Sequence, residues 1–415
     1  MSPRIVLHIG AMKTGTTYLQ HRMLANRAPL AAQGVDFVGD KWSEQVRATQ
    51  DLLGLGGTDP QIARLSKGAW PRTVEQMLAH DGVASVLSME FLSFAHAEDA
   101  ARAVAAFGDA EVHVVLTVRD AAAVIPAQWQ TSVTSGGTDD WSTFQRGVRR
   151  STGLGGAAVG LLTRDQARRA FREAQDVARM VSAWGPPLVP AERFHVVTVP
   201  LPGAPKDLLW ERFCAAAGID PAPCTGEAKQ SNESLGYAST ELVRRVNETL
   251  SLDSPMDHNK TVKDHLAHKA LAPRRRLEDR ARLDPATYAF ALEWNGRVRE
   301  AVADAGVHVV GDLSELPVDA ADAGHVEVTE EQEPPSEEAV LDAARTAYPV
   351  MRDLVGRRAR KLRSMGRKPR SKKALERLVR PRRWARRPDP TAAAVADLVV
   401  LCRVAVRLRR RIRGA

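Results

Sequence analysis

Short apolar runs alternate with longer amphipathic stretches along most of the chain. The runs are four to eight residues long and rich in β-branched residues, which is typical of buried strands. Strands that alternate with helices form a parallel sheet covered on both faces, so the pattern predicts a three-layer α/β protein. The strand patterns lie at 4–9, 83–89, 111–118, 195–199 and 307–310, and the principal helical patterns lie at 164–184, 206–217, 235–250 and 285–305.

The loop after the first strand pattern has the composition of an anion-binding site. It runs from Gly10 to Thr17 and leads into a helical pattern that begins at Tyr18. Backbone N–H groups converge in such a loop, and the dipole of the following helix favours negative charge. Lys13 adds a positive charge and three threonines add hydroxyl donors, so we expect a ligand that carries phosphate or an isoelectronic group.

The position of the lysine distinguishes this loop from that of nucleotide-hydrolysing enzymes, which carry lysine directly after the second glycine. Here Gly10 and Gly15 hold the glycine positions, Thr16 follows the second, and the lysine lies inside the loop. The run KTGTT opening a helix resembles the 5′-phosphosulfate-binding loop of the sulfotransferases that use PAPS (3′-phosphoadenosine-5′-phosphosulfate). The resemblance covers residues 1–316 and implies a sheet of P-loop type and PAPS as co-substrate. The residues that it assigns to the 5′-phosphosulfate are Lys13, Thr14, Gly15, Thr16 and Thr17.

A second phosphate contact is predicted at the end of the 111–118 strand pattern, where Arg119 precedes a helical pattern. Arginine offers a rigid fork of donors that matches a phosphate, and the resemblance assigns Arg119 to the 3′-phosphate of PAPS. The serine that sulfotransferases carry two helical turns later is Ala127 here, so its hydrogen bond is missing or comes from a neighbour. The alternative for Arg119 is an ion pair with Asp120 or a charge at a helix end. Candidates for the family's basic loop are Lys260, Lys263 and Lys269, or the triplet Arg274, Arg275 and Arg276, for which a solvated helix end is the alternative.

A candidate general base follows the 83–89 strand pattern, where Glu90 comes directly after the last apolar residue. A carboxylate at the C-terminal end of a parallel strand faces the same crevice as the neighbouring loops. The transfer of a sulfuryl group to a hydroxyl needs a base, and the resemblance implies that Glu90 removes the acceptor proton. The alternative is a glutamate that only stabilises a helix start through the helix dipole.

The resemblance implies an enzyme that moves the sulfuryl group from PAPS to a hydroxyl or amine of a small molecule, glycan or glycolipid. Lys13 and Glu90 are the predicted catalytic residues, and no metal is expected because cations and N–H donors neutralise the leaving group. Two alternatives from other classes stay open. One is a kinase or nucleoside triphosphatase with an altered loop, and the other is a non-catalytic scaffold that binds a nucleotide or a membrane.

Cysteine content and hydropathy bear on the compartment. The 415 residues include three cysteines, at positions 214, 224 and 402, which show no metal-ligand spacing and no disulfide framework. The first apolar run is too short for a signal peptide, and no run approaches the roughly 18–20 apolar residues of a membrane-spanning helix. We therefore expect a cytoplasmic protein.

The net charge of +9 combines an acidic body with a basic end of the chain. Residues 352–415 carry 23 basic and 4 acidic residues, a net of +19, whereas residues 1–351 carry 36 basic and 46 acidic residues, a net of −10. We expect a catalytic domain at 1–316, an acidic linker at 317–338 and a basic, partly helical tail at 339–415. The tail is either solvated, folded back on the acidic body, or bound to an anionic membrane at its inner face. Its scarcity of aromatic residues makes nucleic acid the least favoured partner.

Overall fold

The computed structural model of the protein describes residues 3–55, 60–150, 166–228, 234–252, 254–321, 328, 332–367 and 384–414. Within these residues it is an α/β structure with a six-stranded, all-parallel sheet flanked by helices, so the predicted fold class is confirmed at this level. The strands are β1 (Arg4–Gly10), β2 (Val35–Phe37), β3 (Ala84–Ser88), β4 (Val112–Val118), β5 (Phe194–Thr198) and β6 (His308–Val310).

The helices include short 3₁₀ segments and one π-helical segment besides the α-helices. The α-helices are α1 (Thr16–Ala25), α2 (Arg27–Ala32), α3 (Trp42–Leu52), α4 (Pro60–Ser66), α5 (Ala69–Leu78), α6 (Ala97–Ala105), α7 (Ala121–Thr134), α8 (Trp141–Arg149), α9 (Gln166–Gln175), α10 (Val177–Trp184), α11 (Leu208–Ala217), α12 (Tyr237–Thr249), α13 (Pro255–His258), α14 (Pro285–Asp304), α15 (Glu337–Ser364) and α16 (Pro390–Arg413). The 3₁₀ segments are Glu90–Phe94, Ala191–Arg193, Ala272–Leu277, Leu313–Glu315 and Trp384–Arg386, and the π-helix is Asn259–Leu271.

The order of the strands explains where a ligand can bind. Across the sheet the order is β2-β3-β1-β4-β5-β6, so β1 lies between β3 and β4. The chain builds β2 and β3 on one side of β1 and then crosses to the other side for β4. This reversal is a topological switch point, and open α/β sheets bind ligands in the crevice beyond the carboxyl ends of the strands at such points.

All five predicted strand patterns are strands of this sheet, and β2 is the strand that the hydrophobic pattern did not predict. Three residues are too few to show a period along the chain. The predicted single helix over 164–184 is wrong for its described part, because α9 and α10 are separate helices. Asp176 lies between them and caps the start of α10, because its side chain accepts a hydrogen bond from the backbone N–H of Arg179.

Two compact units divide the chain. The first consists of Met1–Ile125, Ala170–Asn232 and Pro285–Glu327, and it holds all six strands; the second consists of Pro126–Arg169, Glu233–Asp284 and Val328–Ala415. The predicted catalytic domain at 1–316 therefore contributes segments to both units. The predicted linker at 317–338 falls partly in each, and the predicted tail at 339–415 belongs to the second.

The core of the first unit fixes the sheet rigidly. Val6, Val86, Val115 and Val197 lie on four different strands, and each is fully buried with helix residues against it. Burying one such side chain contributes about 1.5–3 kcal/mol relative to leaving it exposed. The ends of β1, β3 and β4 are therefore held in place, and so are the starts of the loops that follow them.

In the second unit, α15 and α16 pack along each other and against α12. Their apolar faces are buried in this packing, as shown by Leu354, Val355, Leu398 and Leu401, each at most 3% exposed. Among the described residues, no helix combines the length and the apolar character that crossing a bilayer requires.

Candidate functional site

The loop after β1 has the backbone geometry of an anion cradle. Lys13 has a φ of 66°, and it is the non-glycine residue with positive φ in the described part of the chain. Gly15 follows at a φ of 87° and precedes α1, whose first turn receives no hydrogen bond from a capping side chain. Left-handed residues turn successive N–H groups towards one side of the chain, and the first turn of a helix leaves N–H groups without intrahelical partners.

Glycine is required at both ends of this loop. Gly10 has a φ of 97°, and a Cβ atom on it would lie 3.1 Å from the Cβ of Glu90. A Cβ on Gly15 would lie 2.5 Å from the Cδ2 of Leu209 on α11, so the end of that leucine would have to shift, and the φ of 87° by itself favours glycine. The close packing of Gly10 on Glu90 places the candidate base directly beside the start of the loop.

The three residues predicted to converge do follow three adjacent strands. Lys13 follows β1, Glu90 follows β3 and Arg119 follows β4, and the strands run parallel. All three therefore lie at the carboxyl edge of the sheet, on the two sides of the switch point. Arg119 contacts the loop directly, since its Nη1 donates a hydrogen bond to the backbone oxygen of Lys13 at 3.2 Å.

Glu90 is half-buried at the first position of the 3₁₀ segment. Gln20, on α1, donates hydrogen bonds from its Nε2 to the backbone oxygen of Ser88 at 2.7 Å and to Oε2 of Glu90 at 3.3 Å. Gln20 thus ties the carboxylate to the helix that begins at the loop. The other carboxylate oxygen, Oε1, is the one that can receive a proton without disturbing this tie.

Arg119 also lines a small cleft at the end of β4. The cleft measures about 270 Å³, counted with the open solvent at its mouth, and its other walls include Ala11, Phe171, Gln175 and Trp294. Gln175 donates a hydrogen bond from Nε2 to the backbone oxygen of Met12 at 2.7 Å, so it holds the loop from the side of α9. Burial lowers the pKa of Arg119, but an arginine remains a cation at any pH of interest.

A buried chain of polar side chains supports the loop from beneath. His8 lies between the Oγ of Ser88, at 2.7 Å from its Nδ1, and the Oγ1 of Thr117, at 3.3 Å from its Nε2. Thr117 in turn contacts the hydroxyl of Thr14, which donates to the backbone oxygen of Ala11 at 2.6 Å. Burial lowers the pKa of His8 to about 3, so the ring is neutral and one of its nitrogens accepts.

These contacts determine which group donates and which accepts in each hydrogen bond of this buried network. The Thr14 hydroxyl donates to Ala11, so Thr117 donates to Thr14, and Nε2–H of His8 donates to Thr117. The unprotonated Nδ1 of His8 then accepts from Ser88. The Thr14 hydroxyl therefore points into the protein, and a contact between Thr14 and a ligand would come from the backbone N–H of this residue.

We expect Thr117→Val to destabilise the protein by about 1–3 kcal/mol, because the buried Nε2–H of His8 loses its acceptor. The measurement is urea unfolding. Thr49→Val is the matched control: Thr49 is equally buried, and its hydroxyl has no hydrogen-bond partner among the described residues. The control should change the free energy of unfolding by less than about 0.5 kcal/mol or raise it. Equal losses in both variants would show that the hydroxyl chain contributes nothing specific.

The remaining predicted positions have mixed outcomes. Thr16 is buried, with its hydroxyl 3.4 Å from the oxygen of Ala11, whereas Thr17 is half-exposed in the first turn of α1. The carboxylate of Asp120 accepts hydrogen bonds from Asn295 and from the N–H of Ala122, as a helix cap does, and its charge also acts on the neighbouring Arg119.

Two predicted positions lie in the second unit. Arg274 is nine-tenths buried and forms ion pairs with Glu278 at 2.5 Å and Asp342 at 2.9 Å, so that arginine has a structural role. Ala127 is half-buried on α7, in the part of the helix that belongs to the second unit.

Comparison with protein-family models, with curated proteins and with solved structures finds no match to this chain. The chemistry of the site therefore follows from its own residues. They amount to a loop of convergent amides with one lysine, an arginine beside it, and a carboxylate packed against the first glycine.

Proposed function

We propose that this chain is a sulfotransferase that moves the sulfuryl group of PAPS to a hydroxyl or amine of an acceptor, such as a glycan or glycolipid. One observation carries the proposal. A left-handed Lys13 and an uncapped helix start follow the central strand, with Arg119 and Glu90 at the ends of the two strands beside it. This placement of the loop also supports a sheet of P-loop type.

The donor's charges match the cations of the site. The 5′-phosphosulfate would lie against the amides from Lys13 to Thr17, where the N–H groups and the dipole of α1 favour an anion. Lys13 would contact the oxygen that bridges phosphorus and sulfur. Arg119 already reaches the loop, and its remaining N–H donors would bind the 3′-phosphate.

The reaction itself is an in-line displacement at sulfur. The acceptor oxygen attacks the sulfur atom while Glu90 takes the acceptor's proton, and the bond between sulfur and the bridging oxygen breaks. The electron pair of that bond stays on the bridging oxygen, where Lys13 stabilises the developing charge. Most of the rate enhancement would come from positioning and electrostatics, as in phosphoryl transfer.

The cysteines support a cytoplasmic location for this enzyme. Cys214, Cys224 and Cys402 are buried free thiols, and burial raises the pKa of Cys402 to about 12 and also raises the pKa of Cys214. Free thiols are the ordinary state of cysteine in a reducing compartment.

Calorimetry with the desulfated donor, adenosine 3′,5′-diphosphate, tests the proposal. We expect micromolar binding that persists when magnesium is chelated, because the protein's own cations hold both phosphates. Binding should weaken at least about tenfold in Arg119→Ala, which removes a charge-assisted contact. ATP that binds only with magnesium would instead support the kinase or nucleoside triphosphatase. Failure to bind either nucleotide would leave the scaffold as the better description and overturn the enzyme.

A further inference from the structure

The two long helices of the second unit run in the same direction, and this brings their C-terminal ends together. Near their starts, the hydroxyl of Thr391 on α16 donates to the backbone oxygen of Glu337 on α15. Further along, Arg358 donates to the oxygen of Ala405 at 2.8 Å, and beyond α15 Arg367 donates to that of Arg411 at 2.7 Å. The last turns of both helices therefore lie side by side.

Both of these ends are strongly basic. Asp353 is the single acidic residue between positions 352 and 367, and positions 398–414 contain none. The carboxylate of Asp257 is buried and paired with Arg409 and Arg410, so its charge is already used within the fold. We call the exposed cations of these last turns the basic end; its members include Arg357, Arg360, Lys361, Arg363, Arg407 and Arg413.

Stability alone does not account for this concentration of charge. A cation in the last turn of a helix gains about 0.3–1 kcal/mol from the helix dipole, and one or two per helix suffice for that gain. Arg358, Arg367 and Arg409 have structural roles, since they hydrogen-bond to neighbouring helices or pair with Asp257. Crowding further exposed cations beside them adds like-charge repulsion, which an anionic partner would relieve.

Several observations favour a lipid surface as that partner. Met365 is 46% exposed directly after α15, so an apolar side chain stands among the cations of the basic end. The tail's two aromatic residues, Tyr348 and Trp384, are packed on each other with ring centroids 5.2 Å apart. Tyr348 also lies about 24 Å along α15 from its last residue, given the rise of 1.5 Å per residue. Neither ring is therefore placed to stack on a nucleobase at the basic end.

We propose that the basic end of α15 and α16 binds the surface of an anionic lipid bilayer. Binding is peripheral and electrostatic, because the apolar faces of both helices are already buried in the second unit. Met365 adds a small apolar contact at the headgroup level. The proposal is independent of the catalytic one, since it concerns other residues and is measured without turnover.

The test is co-sedimentation of the full chain with phosphatidylcholine vesicles that contain about 30% phosphatidylserine, compared with phosphatidylcholine alone. We expect binding to the anionic vesicles at about 50 mM salt and its loss at about 500 mM, where the Debye length shrinks. The variant Arg360→Glu, Lys361→Glu, Arg363→Glu and Arg407→Glu should weaken binding on the order of 100-fold. Its folding is checked by circular dichroism.

A matched control separates the basic end from net charge. Lys41→Glu, Arg47→Glu, Arg64→Glu and Lys67→Glu alter four exposed cations of the first unit, and both quadruple variants take the formal net charge from +9 to +1. The control should retain most of the vesicle binding. Equal losses in the two variants, or no binding of the native chain to anionic vesicles at low salt, would overturn the proposal.

A further variant separates lipid from other polyanions. We expect Met365→Gln to weaken vesicle binding several-fold and to leave binding to a short DNA duplex unchanged, because a bare phosphate backbone offers no apolar layer. If the native chain binds the duplex more tightly than the anionic vesicles, and Met365→Gln changes neither affinity, the partner is a nucleic acid and the lipid proposal fails.

Discussion

Lys13→Ala is expected to lower the turnover number for sulfuryl transfer by about 1000-fold. The lysine is the cation that the loop holds in a left-handed conformation, and it would meet the charge that develops on the bridging oxygen. The affinity for the desulfated donor should fall less than about tenfold, because the backbone amides remain. The measurement is transfer of radiolabelled sulfate from PAPS to an acceptor found by screening sugars, lipids and phenols.

Two controls show whether the loss is local. Lys67→Ala removes a lysine that is exposed on the same unit and should leave turnover unchanged. Lys13→Ala itself should melt within about 2 °C of the native protein, since alanine meets the same backbone constraint at that φ as lysine. A Lys13→Ala enzyme that keeps a tenth of the native turnover would contradict the assigned role.

Glu90→Gln is expected to reduce turnover by about 100- to 10,000-fold, the usual contribution of a positioned general base. Glutamine keeps the shape of the side chain and leaves an oxygen that can still accept the hydrogen bond from Gln20, so the loop beside it should not move. Binding of the desulfated donor should therefore stay within about twofold of native. Steady-state kinetics with calorimetry on the same preparation measure both quantities.

The exposed Glu98 on α6 supplies the matched control, because Glu98→Gln makes the same chemical change away from the site. The Glu98→Gln variant should keep the native turnover number and the native affinity for the desulfated donor. If Glu90→Gln weakens donor binding as much as it lowers turnover, the carboxylate shapes the donor cradle and does not act as the base.

The hydrophobic pattern was sufficient to predict most of the strands and to predict that the loops after them lie at the same edge of the sheet. The apolar, β-branched runs predicted five strands, and parallel alternation alone placed Lys13, Glu90 and Arg119 at one edge. The structure adds the strand order, which makes the three loops neighbours because β1 lies between β3 and β4. The short β2 gave no periodic signal.

Residues that hold the loop from elsewhere in the chain were not predictable in this way. Gln175 reaches the oxygen of Met12 from a helix far along the sequence, and no motif marks it. Gln20 is one of several polar residues on α1, so its position in the sequence does not mark it. Only its nearly complete burial, at 3% exposure, shows that it has a specific role. The sequence also offered Thr14 as a hydroxyl donor to the ligand, and only the observed contact with Ala11 and Thr117 shows that it points inward.

The neutral His8 under the donor loop has a consequence for acid–base behaviour. Its pKa of about 3 leaves the imidazole uncharged at every acidity in which an assay is run, so the foundation of the loop does not titrate there. A change of rate with pH in that interval therefore does not come from charging of the histidine beneath the donor loop.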